Sequence, residues 1–236
     1  AADRANIFKT FAKVFFQKRD LMATFMAKWS MQYPGQSGHF HFSVCDANDV
    51  NIFADGTAPQ GMSEAQRFAV GGLQRYLPEL LPMLAPTINS YTRLVKGAWA
   101  PTSATWGVEN RTAAIRVIPG GASSQRIECR VGGADANPYL VAAAVLSAGL
   151  AGIRERQEPE SAVQGNAYEL EDSLPAYLRF ASNLGDAAEK MDGSKLARAS
   201  LGDEFVDHFV MSRRWEVQEY QRSLNNWQLQ RYFEII

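Results

Sequence analysis

Two short stretches of the chain, residues 39–44 and 125–131, alternate between apolar and polar side chains. Successive side chains of a β-strand point to opposite faces, so each stretch predicts a strand with one apolar and one polar face. The polar faces carry His39, His41 and Ser43 in the first strand and Arg126, Glu128 and Arg130 in the second. Chemistry-bearing residues are therefore concentrated on one side of each predicted strand.

Apolar residues with a helical period mark four further segments. They are residues 4–19, 63–77, 136–153 and a long segment from about 203 toward the C-terminus. Asp3 is a candidate N-cap for the first helix, and Pro78 is expected to end the second. Asn137 as N-cap and Pro138 in the first turn favour the third helix, whose nearly uniform apolar composition predicts deep burial.

The remaining pattern is mostly extended. We expect strands at residues 21–29 and 38–45, and near 104–108, 113–118 and 125–131 within an extended section from 86 to 136. Gly120 and Gly121 mark a turn between the last two strands. The sequence PGGASS lacks the following lysine and helix of a phosphate loop, so it predicts a hairpin. The expected fold class is α+β, with antiparallel strands flanked by helices and a helical C-terminus.

The composition is that of a globular protein, with 46% hydrophobic and 21% charged residues. A net charge of -1 gives no general attraction to nucleic acid or to anionic membranes, and no apolar run reaches transmembrane length. Cys45 and Cys129 lie far apart in apolar runs, which predicts reduced, buried thiols in a cytoplasmic protein. Because the chain has no initiator Met, we expect it to be part of a longer one.

The two polar faces admit two interpretations. A sheet with one side in water explains either strand alone. The combination favours a chemical site, because His39 and His41 lie side by side as metal ligands or phosphate contacts do. Glu128 lies between two arginines that keep it ionised. A site for a divalent cation and phosphates uses this set of imidazole, carboxylate and guanidinium groups.

Five arginines occur between positions 93 and 130. Scattered surface arginine is one explanation, but clustering in an extended stretch poor in acidic residues favours an anion-rich pocket for polyphosphate and a substrate carboxylate. The five are Arg93, Arg111, Arg116, Arg126 and Arg130.

The chain resembles the C-terminal half of the glutamine synthetase catalytic domain in four segments that keep the family's order and spacing. They are NSYTRLVKGAWAP (89–101), NRTAAIRVIP (110–119), RIECR (126–130) and ANPYLVAAAVLSAGLAGI (136–153). The ending NNWQLQRYFEII is similar to the family's Trp-Glu-x-x-Arg-Tyr ending. The resemblance implies a ligase that uses ATP to phosphorylate the γ-carboxylate of glutamate and then couples it to an amine. It also implies two Mg²⁺ or Mn²⁺ ions in a funnel lined by antiparallel strands.

The same resemblance implies roles for individual residues. His39 is expected to ligate one metal ion and Glu128 the other. The residues implied at the nucleotide are His41, Ser43, Arg111, Arg116 and Arg126. Those implied at the glutamate or the amine are Gly35, Arg93, Trp99 and Arg130. Among all of these, the implied catalytic residues are Arg93, Arg111 and Arg130.

Trp99 is the first departure from the family pattern. The family has Pro-Gly-Tyr-Glu-Ala-Pro where this chain has KGAWAP, and the family's Glu closes over the site and helps to deprotonate ammonium. Trp99 accepts no proton, but an indole suits an organic amine such as a polyamine, alkylamine or aromatic amine, by stacking or cation–π attraction. The alternative is that Trp99 packs into the core after a loop shift.

In two further departures, one family motif is shortened and the N-terminal part of the family's sequence is absent. The family's Asn-Gly-Ser-Gly-x-His pattern is compressed, since Ser37-Gly38 directly precedes His39, which alters the glutamate contacts expected at Gly35. The N-terminal β-grasp domain and the earlier catalytic strands are absent from residues 1–236, which resemble only the C-terminal part of the catalytic domain. We therefore expect this chain alone to bind divalent cations poorly and to lack ligase activity. The family also implies ring-shaped homo-oligomers.

Two alternatives stay open from the sequence. The chain could belong to an ordinary ammonium-using glutamine synthetase that recruits another base, or to a non-catalytic structural or regulatory relative. The costly cluster of arginines with His39 and Glu128 argues against the second. The expected partners are glutamate, an amine and ATP, with no nucleic acid and no membrane.

Overall fold

The computed structural model describes residues 1–235, and within that range no helix combines the length and apolarity needed to cross a membrane. The strands are β1 (Phe40–Phe42), β2 (Trp106–Val108), β3 (Ile115–Ile118) and β4 (Arg126–Cys129). The helices are α1 (Ala2–Gln17), α2 (Glu64–Leu84), α3 (Ile88–Arg93), α4 (Pro138–Glu155), α5 (Leu184–Asp192), α6 (Lys195–Leu201), α7 (Asp203–Gln221) and α8 (Asn226–Tyr232). The α+β class and the helical C-terminal part are confirmed.

The four strands form one sheet in the order β1-β4-β3-β2. β4 is antiparallel to both β1 and β3, and the predicted turn at Gly120 and Gly121 lies between β3 and β4. β2 is parallel to β3, so the expectation of antiparallel strands is wrong for this pair. Each of these strands is only three or four residues long. The short link 109–114 is therefore enough to bring the chain back level with the first residue of β2, so that β3 runs in the same direction beside it.

The apolar face of the sheet packs in one core with α2 and α4. Ile115, Ile127 and Cys129 are almost completely buried there. The two helices approach closely, because a Cβ atom on Gly72 would lie 2.3 Å from the carbonyl oxygen of Ala148. Alternation along β3 and β4 therefore turns the charged side chains to the other face of the sheet.

Residues 21–29 are not a strand, which corrects the prediction for this segment. Lys28 instead exchanges two hydrogen bonds with the side chain of Asn89, its N–H donating at 2.9 Å and its carbonyl accepting at 2.7 Å. Met22 is 93% exposed, and Ala27 is fully buried. Residues 21–29 do not alternate between apolar and polar side chains, and they pair with no strand within residues 1–235.

Helix α2 continues through Pro78 to Leu84, so the predicted end at Pro78 is wrong. Pro78 and Pro82 each remove an intrahelical hydrogen bond, a cost of about 3 kcal/mol or more. Complete burial of Leu77, Leu80 and Leu81 offsets that cost through the hydrophobic effect.

Part of the section expected to be extended is helical, because α3 lies within it. The Thr87 hydroxyl accepts from the Ser90 N–H, and the Ser90 side chain accepts from the Thr87 N–H, which forms a capping box. Asp3 is not the N-cap of α1, since the helix already begins at Ala2. The predicted cap at Asn137 is confirmed by its acceptance of the Tyr139 N–H at 2.9 Å.

Two burial predictions are corrected. Cys45 is exposed although Cys129 is buried, because Cys45 lies past the end of β1 where the chain leaves the sheet; both thiols are free. Helix α4 is buried on one side only, since Leu146 and Leu150 are 37% and 44% exposed.

Candidate functional site

Glu128 is the centre of a hydrogen-bonded cluster on the polar face of the sheet. Its side chain is 3% exposed. Arg116 Nη1 donates to Oε2 at 2.9 Å, and Arg130 Nη1 donates to Oε1 at 2.7 Å. His39 Nδ1 lies 2.8 Å from the same Oε1. The strand register brings these groups together, because Glu128 pairs with His41 on one side and with Arg116 on the other.

The arginines keep Glu128 ionised. Burial favours the neutral acid, but the charge of Arg130 and the hydrogen bond from Arg116 outweigh it and hold the pKa of Glu128 below its usual range. Burial and the Arg130 charge also lower the pKa of His39. A neutral His39 that donates Nδ1–H to Glu128 leaves its Nε2 lone pair free for a ligand.

His41 faces Arg126 at the other end of the cluster. Arg126 Nε donates to His41 Nδ1 at 3.4 Å, while His41 Nε2 lies 3.8 Å from Glu128 Oε1. Burial lowers the pKa of His41, which favours the neutral ring. Ser43 is exposed just beyond the end of β1. The polar face predicted from alternation therefore exists, with its histidines and arginines in contact.

Arg93 is buried beside this cluster, with 2% of the residue exposed. Its Nη1 donates to the Ser37 hydroxyl at 3.1 Å, and its Nη2 donates to the carbonyl oxygen of Val131. Burial lowers its pKa to about 10, against the opposing charge of Asp135. Gly35 packs on the same side chain, because a Cβ atom there would lie 2.6 Å from Arg93 Cγ.

Positive charge exceeds negative charge in this region. In residues 1–235, Arg93 forms no ion pair with a carboxylate, and the buried Nε atoms of Arg93 and Arg130 have no hydrogen-bond partner. A buried, incompletely paired guanidinium is costly unless an anion completes it. The donor set therefore fits an anionic ligand that carries carboxylate or phosphate oxygens.

Arg111 and Trp99, like the exposed Ser43, lie outside the hydrogen-bonded cluster. Arg111 is exposed in the link between β2 and β3. Trp99 is 68% exposed in the turn after α3 and has a positive φ of 56°. Its exposure excludes the interpretation of Trp99 as a core residue. Both side chains are accessible from solvent rather than fixed against Glu128.

Three residues at the site were missed from the sequence. Ser37 bonds Arg93. Glu109 pairs with Arg116, its Oε2 accepting from Nε at 3.0 Å. Tyr168 has a buried hydroxyl with no partner in the described part of the chain; burial raises its pKa, and the charges of Arg130 and Arg93 oppose that rise. Only Ser37, next to the histidines, carried a sequence signal, because the other two contacts depend on tertiary structure.

The metal donors are incomplete. His39 and Glu128 supply one imidazole and one carboxylate that fit a divalent cation. Residues 1–235 contain no group of three or more His, Cys, Asp or Glu side chains placed to hold a metal ion. His39 and Glu128 alone do not form a complete metal site.

The whole chain matches known proteins. The model of the family described as glutamine synthetase, catalytic domain, matches residues 1–232. A type-1 glutamine synthetase 2 from Dictyostelium discoideum is 44% identical over 100% of this chain and 45% of its own length. A glutamate–isopropylamine ligase from a Pseudomonas species is 38% identical over 100% of this chain and 51% of its own length. A gamma-glutamylethanolamide synthetase from Streptomyces coelicolor is 38% identical over 98% of this chain and 48% of its own length.

A solved structure shares the fold. The ADP complex of GmaS superimposes with a TM-score of 0.88 at 33% sequence identity, over 98% of this chain and 54% of that one. The chain thus spans about half the length of the curated relatives it matches.

Proposed function

The chain belongs to the glutamine synthetase family of catalytic domains, and we propose that it forms the C-terminal part of an ATP-dependent glutamate–amine ligase. The N-terminal β-grasp domain and the earlier catalytic strands belong, in this proposal, to the same longer protein. The observation that carries the proposal is the buried Arg93, which has no carboxylate partner in residues 1–235 and lies beside the ionised Glu128 and its two arginines. That charge distribution suits phosphate and carboxylate groups held next to a divalent cation.

The proposed reaction proceeds through two displacements. The γ-carboxylate of glutamate attacks the terminal phosphorus of ATP, which releases ADP and leaves an acyl phosphate. The amine nitrogen then attacks the acyl carbon and expels phosphate, which carries away the proton that the nitrogen loses. Little covalent participation by the protein is needed, since positioning and charge neutralisation dominate phosphoryl transfer.

Each residue of the cluster has a proposed role in that reaction. Arg93 holds the glutamate carboxylate, and its orphaned Nε supports this role. Arg130, bonded to Glu128, neutralises the transferring phosphoryl group. The residues proposed at the ATP phosphates and along the nucleotide are Arg111, Arg116, Arg126, His41 and Ser43.

His39 and Glu128 are the proposed metal ligands, one for each of two Mg²⁺ or Mn²⁺ ions. Because residues 1–235 hold only these two donors together, the proposal assigns the remaining carboxylates to the N-terminal part of the longer protein. Titration of the isolated chain with Mn²⁺ by calorimetry is expected to show only weak binding. Tight binding would contradict the division of the metal sites between the two parts.

We propose an organic amine as the second substrate. Trp99 is exposed where the family pattern has the ammonium-handling Glu, so an indole face is available to an alkyl or aromatic amine. Two relatives, named as a glutamate–isopropylamine ligase and a gamma-glutamylethanolamide synthetase, support the proposal of an organic amine. The 44% identity to a glutamine synthetase favours ammonium as the competing candidate.

An amine panel tests the proposal. The full-length protein is incubated with glutamate, ATP and Mg²⁺, and phosphate release is followed with ammonium, isopropylamine, ethanolamine, a polyamine and an aromatic amine. Release that depends on glutamate and is faster with an organic amine is expected. Efficient turnover with ammonium alone would refute the amine assignment, and glutamate-independent release would refute the ligase.

A ring-shaped homo-oligomer is proposed for the full-length protein. Helix α1 exposes apolar side chains, including Ile7, Phe8 and Phe11. This supports contact of α1 with another subunit in the assembly. The mass of the full-length protein in solution, measured by light scattering, tests it; a monomer would contradict it.

A further inference from the structure

Glu109 is bound to an arginine of the proposed nucleotide site. Its Oε2 accepts from Arg116 Nε at 3.0 Å and also from Arg116 Nη2. Arg116 Nη1 donates to Glu128 at 2.9 Å. One guanidinium is therefore shared by two carboxylates, and its edge formed by Nε and Nη2 is occupied by Glu109.

The backbone fixes Glu109 in this place. It has a left-handed conformation, with φ at 52°, which a residue with a long side chain rarely adopts. Its N–H donates to the Val117 carbonyl oxygen at 2.9 Å. The next residue, Asn110, accepts from the Thr112 N–H at 2.9 Å and donates to the Gly165 carbonyl oxygen at 2.9 Å. The turn is held on both sides, which keeps the Glu109 backbone next to Arg116.

The charges show what this contact does. Without Glu109, Arg116 and Arg130 together carry one positive charge more than Glu128 neutralises. With Glu109, these four side chains sum to zero. The Glu109 side chain is 50% exposed, whereas that of Arg116 is 16% exposed, so the carboxylate lies on the solvent side of the guanidinium. A phosphate that reached Arg116 from solvent would meet this carboxylate.

We infer that Glu109 competes with the nucleotide phosphates for Arg116 and thereby weakens nucleotide binding. The inference rests on the proposed role of Arg116 at the phosphates of ATP. A phosphate oxygen and the Glu109 carboxylate prefer the same donors, and like charges at contact distance repel. Nucleotide binding therefore displaces Glu109 from Arg116 or brings the phosphate against its charge, and either event costs affinity.

ADP binding to the full-length protein, measured by calorimetry in buffer with Mg²⁺, tests the inference. Glu109→Gln removes the charge and keeps the shape. Glu109→Gly removes the side chain and also relieves the left-handed backbone, so it is expected to raise the melting temperature. Both variants are expected to bind ADP about three- to tenfold more tightly, the range for removing one like charge at a partly exposed site. Glu219→Gln, which alters an exposed ion pair on α7, is the matched control and leaves ADP affinity unchanged.

The results separate two failures. If the wild-type protein does not bind ADP, the proposed function itself is wrong and the inference falls with it. If the wild type binds ADP but both variants bind equally or more weakly, the competition is refuted and the proposed function stands. Weaker binding would assign Glu109 the opposite role, that of a residue that positions Arg116 for the phosphate.

Discussion

Arg116 on β3 and Glu128 on β4 lie directly opposite each other in the antiparallel register, and their side chains form an ion pair at 2.9 Å. The same register places His41 of β1 opposite Glu128 from the other side. Residues that are distant in the sequence thus become neighbours because three strands share one alternation. The geometry of the sheet builds the cluster, and Arg93, the last residue of α3, lies buried beside it.

Replacing Glu128 by Gln is expected to destabilise the fold as well as the site. The change leaves Arg116 and Arg130 without their shared carboxylate, and loss of one partner from a buried charge network costs about 3 kcal/mol. Urea unfolding of the chain measures this change, and Glu219→Gln is the control, expected to stay within about 0.5 kcal/mol. Unchanged stability of Glu128→Gln would show that the network contributes nothing to folding.

Replacing Arg93 by Met is expected to raise the KM for glutamate at least about tenfold, since a charged hydrogen bond to a carboxylate contributes about 1.5–3 kcal/mol. The methionine removes the buried guanidinium and keeps much of its volume. Steady-state kinetics of the full-length enzyme with saturating ATP and amine measure the change. Arg67→Met, at an exposed ion pair on α2, is the control. A KM for glutamate that matches the wild-type value would remove Arg93 from the substrate site.

Trp99→Glu is expected to shift amine preference toward ammonium. The new carboxylate accepts a proton and attracts a small cation, whereas the indole face for an organic amine is lost. The ratio of kcat/KM for ammonium to that for isopropylamine is expected to rise at least about tenfold, a change of about 1.4 kcal/mol. Trp99→Phe keeps an aromatic face and retains the organic-amine preference. If neither variant alters the ratio, the amine is selected elsewhere.

The two thiols are expected to differ in reactivity. Burial raises the pKa of Cys129 to about 11, so at pH 8 its thiol is protonated and inaccessible. Cys45 is exposed. Iodoacetamide is therefore expected to label one cysteine per native chain and two in urea, as counted by intact mass. Cys45→Ser should abolish native labelling, and labelling of Cys129 in the folded chain would contradict its burial.

The ion network of the C-terminal helices predicts a pH dependence of stability. Arg214 donates to Asp192 at 2.8 Å, and this hydrogen bond, reinforced by Arg198, lowers the pKa of Asp192 from 3.8. A lowered folded-state pKa gives stability that is present above pH 3.8 and lost as the pH falls through the lower value. Asp192→Asn is thus expected to melt below the wild type at pH 7. That difference should shrink as the pH falls below about 4; a difference that stays constant on acidification would contradict this origin.

Local signals in the sequence were sufficient for part of the fold. Alternation predicted the polar faces around His41 and Glu128, and the cap at Asn137 predicted the start of α4. These features depend on side chains within a few positions of each other. Of the two arginines predicted beside Glu128, Arg130 donates to it, whereas Arg126 donates to His41. The contact of Arg116 with Glu128 was not predicted, because it depends on the pairing of β3 with β4.

Other features depend on contacts that the local pattern does not contain. Helix α2 continues through Pro78 because buried leucines compensate for the lost hydrogen bonds. The parallel pairing of β2 with β3, and with it the contact of Glu109 with Arg116, arises from the path of the link between the strands. Residues 21–29 are apolar but do not pair, because the side chain of Asn89 takes the hydrogen bonds of Lys28.

Analysis of the products tests the central claim most directly. The full-length protein is incubated with glutamate, ATP, Mg²⁺ and the organic amine that gives the fastest phosphate release in the amine panel, and the products are identified by mass spectrometry and nucleotide chromatography. We expect the γ-glutamyl amide of that amine, with one ADP and one phosphate for each amide formed, and loss of all three in Glu128→Gln. Release of AMP and pyrophosphate, or ATP turnover that does not require glutamate, would contradict it.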